Sequence, residues 1–332
     1  MRIVSISGPC GRFVSLNNRA GAVIVLAVAL GAGAVFGQGH TLWQDRGVQL
    51  CGTSSDVPMT ATSDSAGGAI VVWLDSRDFY KGIYAQRVDA AGVPQWTTDG
   101  VLLCYPAWGG PQGVVDDGKH GAIALWGSAG GQIAVQRLSA DGVPLWGPQG
   151  LILRQSTAPA ISMPALVRDG RGGAIVVRTT LWPNSALDTL LACRVDSSGS
   201  LDWETCVRAE SLGERPSLCP DGRGGAIVAW EEYRASPSEV RVQRLDSAGA
   251  VKWGSAGVPA CTLTTTQASR VCVAVGESHF VVGWADRATS TWQNRAQMFD
   301  LAGWGYSLHS SRCYGLCWRR FRKPRMPLTI AV

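Results

Sequence analysis

The chain has 332 residues, of which 46% are apolar and 17% charged, with 41 Gly and 14 Trp. That is the composition of a folded, turn-rich β protein, and it excludes a disordered chain. The formal net charge of +5 misleads, because every acid lies between Gln38 and Trp304 while Arg2, Arg12, Arg19 and the C-terminal cations Arg312, Arg319, Arg320, Arg322, Lys323 and Arg325 lie outside. The intervening body is mildly acidic, which argues against a nucleic-acid footprint on it.

Residues Met1 to Gly37 read as an export leader. Three arginines precede an unbroken apolar run from Ala20 to Phe36, and Val35-Phe36-Gly37 offers small residues at a cleavage position. The run is short for a membrane span, so cleavage is expected, with an uncleaved anchor as the alternative. Next comes Trp43 to Cys51, WQDRGVQLC, whose pattern returns as WTTDGVLLC at Trp96 and WGSAGVPAC at Trp253.

From there a unit of about fifty residues repeats five times. Its first half is GGAIVVW at Gly67, HGAIALW at His120, GGAIVVR at Gly172, GGAIVAW at Gly224 and SHFVVGW at Ser278, with copies starting 53, 52, 52 and 54 residues apart. Its second half is YAQRVDAAGVPQW from Tyr84, AVQRLSADGVPLW from Ala134, LACRVDSSGSLDW from Leu191 and RVQRLDSAGAVKW from Arg241, with a shortened RAQMFDLAGW from Arg295. Each unit divides into four short strands, in the first copy Met59 to Thr62, Ala69 to Trp73, Ile83 to Val88 and Val101 to Cys104, separated by Asp-Gly turns. Runs such as Ala69 to Val72 are apolar on both faces and suit a sheet packed between two others.

Four strands per unit at this period is the pattern of an all-β β-propeller of four-stranded antiparallel blades, five of them, unless the array is cut from a longer one. The expected boundaries are a signal peptide over 1–37, a propeller over 38–304 with units 58–104, 111–154, 164–209, 215–261 and 268–304, and a basic, irregular tail over 305–332. The fifth unit lacks a recognisable fourth strand, so 41–51 is read as a closing strand donated to the last blade. The alternative is that 41–51 is the end of an upstream unit and the tail an aberrant end.

Ten cysteines in an exported chain invite a disulfide reading. Cys51, Cys104 and Cys261, however, share one repeat position in different units, and most cysteines are expected to act as small buried hydrophobes. Cys313 and Cys317 fit no zinc spacing. The four histidines are scattered, with His120 and His279 standing where other copies have turn glycines, and no metal is expected.

An acid follows the strand-two Trp in three copies, Asp75, Glu232 and Asp286, each with an arginine nearby in sequence, Arg77, Arg234 and Arg287. These acids are the rim candidates for ligand binding, as a carboxylate ring for a cation or a sugar. A local charge pair is the competing reading, and Ser128 and Thr180 break the ring. The recurring arginines Arg87, Arg137, Arg194 and Arg244 are expected to pack their stems and bond to carbonyls of an adjacent turn. The terminal RRFRKPR from Arg319 reads as a solvated basic tail.

The segments GGAIVAWEEYR, VQRLDSAG and the WG turn before GV resemble the tandem blades of secreted bacterial β-propeller proteins. VDAAGVPQW and LDSAGAVKW are also similar to the docking motif of PQQ-like, quinoprotein-type blades. The resemblance spans about residues 41 to 304 and implies a propeller; it implies no cofactor, because no cofactor or calcium ligands can be placed. The expected function is a non-catalytic, secreted or cell-surface binding or scaffold module for an unknown protein or glycan, not an enzyme, without catalytic residues, cofactor, nucleic-acid partner or stable membrane span. The alternatives are a carbohydrate-active or quinoprotein-type propeller enzyme and a truncated, decayed repeat protein. Any site is expected where the repeat fails: Arg178 to Asp188, Cys206 to Gly213, and after Trp304.

Overall fold

A computed structural model describes residues 43, 47–52, 59–77, 80–107, 109–128, 132–154, 164–180, 189–209, 216–232, 239–260, 268–276, 278–286, 292–301 and, as backbone, 4–8, 11–17, 23–26, 305–307 and 319–320. Residues 78 and 79 fall outside this set. The chain divides into two units, Met1–Asp45 and Arg46–Val332. The first contains an antiparallel meander, Val4–Gly8, Gly11–Asn17 and Val23–Leu26.

The second unit is a β-propeller of five antiparallel sheets in chain order. Blade 1 is Met59–Ser63, Ala69–Asp75, Gly82–Val88 and Val101–Cys104; blade 2 is Pro111–Asp116, Ala122–Ser128, Gln132–Leu138 and Leu151–Arg154. Blade 3 is Ala165–Arg168, Ala174–Thr180, Thr189–Val195 and Leu201–Arg208; blade 4 is Ser217–Pro220, Ala226–Glu232, Glu239–Leu245 and Val258–Pro259. Blade 5 is Ala268–Val275, His279–Asp286, Gln293–Asp300 and Gly305–Ser307, with Arg319–Arg320 added at its edge. Each sheet is a plain meander, and the first strand of each blade packs against the first strand of the next.

The core is a series of layers between blades, which is why the second strands are apolar on both faces. Ile70, Val72 and Leu103 of blade 1 share a cluster with Val114, Ala122 and Trp126 of blade 2. Ile123, Leu125 and Trp146 do the same with Leu166, Val176 and Cys193 of blade 3. Phe280, Val282 and Phe299 close on Ile227, Ala229 and Val242 of blade 4.

The polar repeat residues tie each blade internally and to its successor. In blade 2 the Gln136 carboxamide accepts from Arg137 N–H (3.0 Å) and Trp146 N–H (2.8 Å) and donates to Gly147 O (2.5 Å), holding the loop before the fourth strand. The Arg137 guanidinium donates to Asp117 and, at 2.9 Å, to Ser197 O in blade 3; the Trp146 indole N–H reaches the same carbonyl. Arg87 to Ala140 O and Arg244 to Leu301 O repeat the crossing. The expectation holds for Arg87, Arg137 and Arg244, with the acceptor turn in the following blade; Arg194 departs from it, pairing with Asp169 and Asp202 of its own blade.

Two irregularities depart from the sequence expectation. In blade 3 the fourth strand starts immediately after the Asp196–Ser200 turn, because LDWETC lacks the detour ending in Gly that follows the Trp in units 1, 2 and 4 (Gly100, Gly150, Gly257), so Trp203 lies within the strand. In blade 5 the fourth position is taken by Gly305–Ser307, with Met298 opposite Tyr306 and Phe299 opposite Gly305. A hairpin to the next residues of the chain costs less loop entropy than recruiting 41–51 from the far end. The described residues of that segment, Trp43 and 47–51, lie outside any strand, and Gly52 N–H donates to Asp99 of blade 1 at 2.7 Å.

Among the described cysteines, Cys104, Cys193 and Cys219 are buried, Cys51 is half-buried, and Cys206 and Cys272 are exposed; all six are free thiols. Burial pushes Cys193 up to about 11 and Cys219 up to about 12, so both remain protonated and inert. Cys261, Cys313 and Cys317 lie outside the described residues. No helix among the described residues is long and apolar enough to cross a membrane.

The blade junction yields a graded test. Gly199 has φ +91° and a Cβ there would sit 2.7 Å from Trp146, whereas Gly170 has φ +73° with nothing within 4 Å. Gly170→Ala should cost about 1 kcal/mol in backbone strain alone, and Gly199→Ala about 2–4 kcal/mol. Urea denaturation measures both, and equal losses would show that the indole yields freely.

Candidate functional site

The Asp-Gly-x-Gly-Gly segments build the turn between first and second strands. In blade 3, Asp169 Oδ1 accepts from Arg171 N–H (2.7 Å) and Gly173 N–H (2.8 Å), while Asp169 N–H donates to Gly173 O (3.1 Å). Its Oδ2 accepts from Arg194 at 2.7 Å. Asp64, Asp117 and Asp221 repeat the arrangement with Arg87, Arg137 and Arg244. His120 adopts φ +65° at the glycine position of this turn, and its Nδ1 lies 3.1 Å from Asp64 O.

With both carboxylate oxygens engaged, the turn carries its middle residue outward. That residue is Ala66, Lys119, Arg171 and Arg223 in units 1 to 4; Glu277, at the same place in the unit 5 sequence, lies outside the described residues. The turns of blades 2, 3 and 4 surround a cavity of about 640 Å³ lined by Asp117, Lys119, Arg168, Asp169, Arg171 and Arg223 together with turn glycines and Pro220. Arg168 donates to Asp116 Oδ1 at 2.8 Å. Lys119, Arg171 and Arg223 are exposed. The volume is that of an ordinary small-molecule site, but the lining is polar rather than apolar.

The acids read from the sequence lie at the other end of the second strands, Asp75 and Asp286 paired within their own blades and Glu232 paired both within blade 4 and across to blade 3. Asp75 accepts from the Trp73 indole (3.1 Å) and from Arg77 (2.5 Å), and the Arg77 guanidinium lies 3.9 Å from the Tyr84 ring centre. Glu232 pairs with Arg208 (2.7 Å) and Arg241 (3.2 Å), and Asp286 pairs with Arg295. The sequence neighbours Arg234 and Arg287 lie outside the described residues. By strand register Asp75, Glu232 and Asp286 sit at the hairpin to the third strand, opposite Gly82, Glu239 and Gln293, away from the cavity. Of the irregular segments, 181–188 and 210–215 are outside the described residues, as is most of the chain after Trp304. Arg178, which replaces a strand-two Trp, is buried and paired with Glu204.

No protein-family model matches the chain, and no curated protein is similar to it in sequence. Solved structures do match. One is an endo-arabinase from Bacteroides thetaiotaomicron VPI-5482, 10% identical, with 75% of this chain and 95% of that chain covered and a TM-score of 0.36. Another is an exo-1,5-alpha-L-arabinanase from a bovine ruminal metagenomic library, 12% identical, with 75% and 96% covered and a TM-score of 0.38. A puromycin hydrolase is 16% identical, with 76% and 44% covered and a TM-score of 0.36. At these identities the likeness is one of fold. The expectation of a non-catalytic module, and of a chain that is not an enzyme, is corrected on this finding: the solved structures named here are an endo-arabinase, an exo-arabinanase and a puromycin hydrolase.

The turn that carries the cavity was visible in the sequence only as a turn. The signal for the site was the cation at its middle position in three consecutive units, Lys119, Arg171 and Arg223, flanked by units that lack it. Among the described residues no group of three or more His, Cys, Asp or Glu is placed to hold a metal ion.

The buried carboxylates impose a pH dependence. Burial opposes the charge on Asp64 and Asp75, but hydrogen bonds from Ala66, Gly68 and Arg87, and from Arg77 and Trp73, outweigh it and hold both below the ordinary value. A lowered folded-state value means that this stability is complete above the unfolded pKa of about 3.9 and is lost as pH falls through the folded value. Melting curves from pH 7 to 2 should be level down to about pH 5 and fall below about pH 4, with a shallower acid slope in Asp75→Asn. A melting temperature that rises on acidification would contradict the assignment.

Proposed function

We propose that this chain is a carbohydrate-active propeller hydrolase, exported by its leader, that takes a saccharide into the cavity formed by blades 2 to 4. The observation that carries the reading is the cavity itself: about 640 Å³ lined by glycine backbone and charged side chains, with Pro220 as its apolar member. A sugar presents hydroxyl donors and acceptors around its ring, and such a lining can meet them where an apolar pocket cannot. The boundaries 1–37, 38–304 and 305–332 belong to the same proposal, resting on the charge pattern and the repeat.

Glycoside hydrolysis uses two carboxylates flanking the scissile bond. Asp117 and Asp169 are engaged on both oxygens by their turns and by Arg137 and Arg194. Asp116, at the end of the first strand of blade 2, accepts from Arg168 and Gly118 N–H through Oδ1, leaving Oδ2 without a hydrogen bond among the described residues. It is the carboxylate beside the cavity that remains able to act, as acid or base. The second would come from outside the described lining.

Reducing-sugar release from arabinan, other neutral glycans and uronate-containing glycans tests the reading. Turnover of at least one, lowered about 10²–10⁴-fold in Asp116→Asn with melting temperature preserved, is the expected result. No release from any of them, or an Asp116→Asn variant of undiminished rate, would sink the reading or this residue's part in it, respectively.

A further inference from the structure

Of the arginines whose side chains are described, all but Arg171, Arg223 and Arg270 pair with a carboxylate. Two of these three line the same cavity, and Lys119 joins them with its ammonium likewise unpaired among the described residues. A fold this thorough in neutralising its arginines has left three cations together at one opening.

Among the described residues nothing local offsets them. Asp117 and Asp169 have spent their charge on Arg137 and Arg194, and Asp221 beneath Arg223 has spent its own on Arg244. Asp116 is balanced by Arg168, itself part of the lining. Among the described residues the opening therefore carries three exposed positive charges in excess, whose fields add on an entering anion.

The cations also stand on fixed supports. Each follows a turn clamped by its aspartate, and the Arg171 guanidinium extends over the next blade, its Nη2 3.8 Å from where a Cβ on Gly224 would sit. The glycine there leaves room for the planar group. Ala66 at the same position of unit 1 carries no charge, so among the described turns the cations fall in units 2, 3 and 4. The remainder of the repeat does not require these cations, so folding alone gives no account of them.

We propose that this cavity is an oxyanion-binding site, taking a sulfate, phosphate or carboxylate group between Lys119, Arg171 and Arg223. Two arginines present forked donors suited to planar or tetrahedral oxyanions, and the lysine adds a compact charge. The group can arrive as a free ion or as the substituent of an acidic saccharide. The site does not depend on the chain being a hydrolase.

Calorimetric titration of the full chain at low salt, with sodium sulfate, sodium phosphate and oligogalacturonate as separate probes and sodium chloride at matched ionic strength as control, tests it. Saturable binding of at least one oxyanion beyond chloride is expected, weakened about 3–10-fold in Arg171→Gln or Arg223→Gln and lost in the triple variant with Lys119→Gln. Arg270→Gln, which removes an unpaired arginine elsewhere, should bind as the parent does. Tighter binding of oligogalacturonate than of the free ions identifies the saccharide-borne group, and the reverse identifies the free ion. No binding beyond chloride, retention by the triple variant, or equal loss in Arg270→Gln overturns the proposal. Binding without glycan cleavage would retain this site while removing the hydrolase reading.

Discussion

The structure depends on one buried ion pair repeated through the first four blades: the aspartate of the first turn and the arginine of the third strand. The aspartate alone would only shape a turn. With the arginine it bonds the two ends of a sheet's inner half, and through the guanidinium's remaining nitrogen it can reach the neighbouring blade, as Arg137 does to Ser197 O. Burying such a pair is costly unless every donor and acceptor is met. Asp117 meets that condition, with two backbone amides on one oxygen and the guanidinium on the other. Unit 5, where Val275 replaces the aspartate, builds its turn differently, with Gly276 N–H donating to His279 O.

This division of labour separates the two ends of the second strand. At one end Asp75, Glu232 and Asp286 take up arginines, Glu232 one from its own sheet and one from the preceding blade, so charge is consumed. At the other the aspartates face inward and their turn neighbours face out, so charge is displayed. A propeller face of this kind places variable residues on a repeated support: Ala66, Lys119, Arg171 and Arg223 change charge and size over the same aspartate-clamped turn.

The blade count, the strand spans and the turn residues were legible in the sequence because period, β-branched runs and Asp-Gly pairs are local signals. The crossing of Arg87 or Arg137 into the next blade was only half legible, since a strand arginine announces a bond to a carbonyl but not which blade owns it. The tight hairpin ahead of Leu201–Arg208 was written in the glycine missing after the Trp of LDWETC. The pairing of Gly305–Ser307 was not, because three residues of GYSLHSS carry too little pattern to distinguish a strand from a tail. The cavity escaped for a different reason: Lys119, Arg171 and Arg223 are each unremarkable turn residues, about fifty positions apart, and only the stacking of blades gathers them. Asp75, Glu232 and Asp286 attracted notice instead because each follows a conserved-looking tryptophan, a position whose job is to satisfy an arginine.

The indole of each of the first three blades donates forward, Trp96 to Ala140 O, Trp146 to Ser197 O and Trp203 to Ser247 O, and never to the blade before it. That gives the array a polarity like that of a zipper. A blade emerging during synthesis presents an indole whose acceptor has not yet been made, so each unit is completed only by the arrival of its successor. An interruption after any of these three blades would therefore leave the unmet indole on the side of the missing successor.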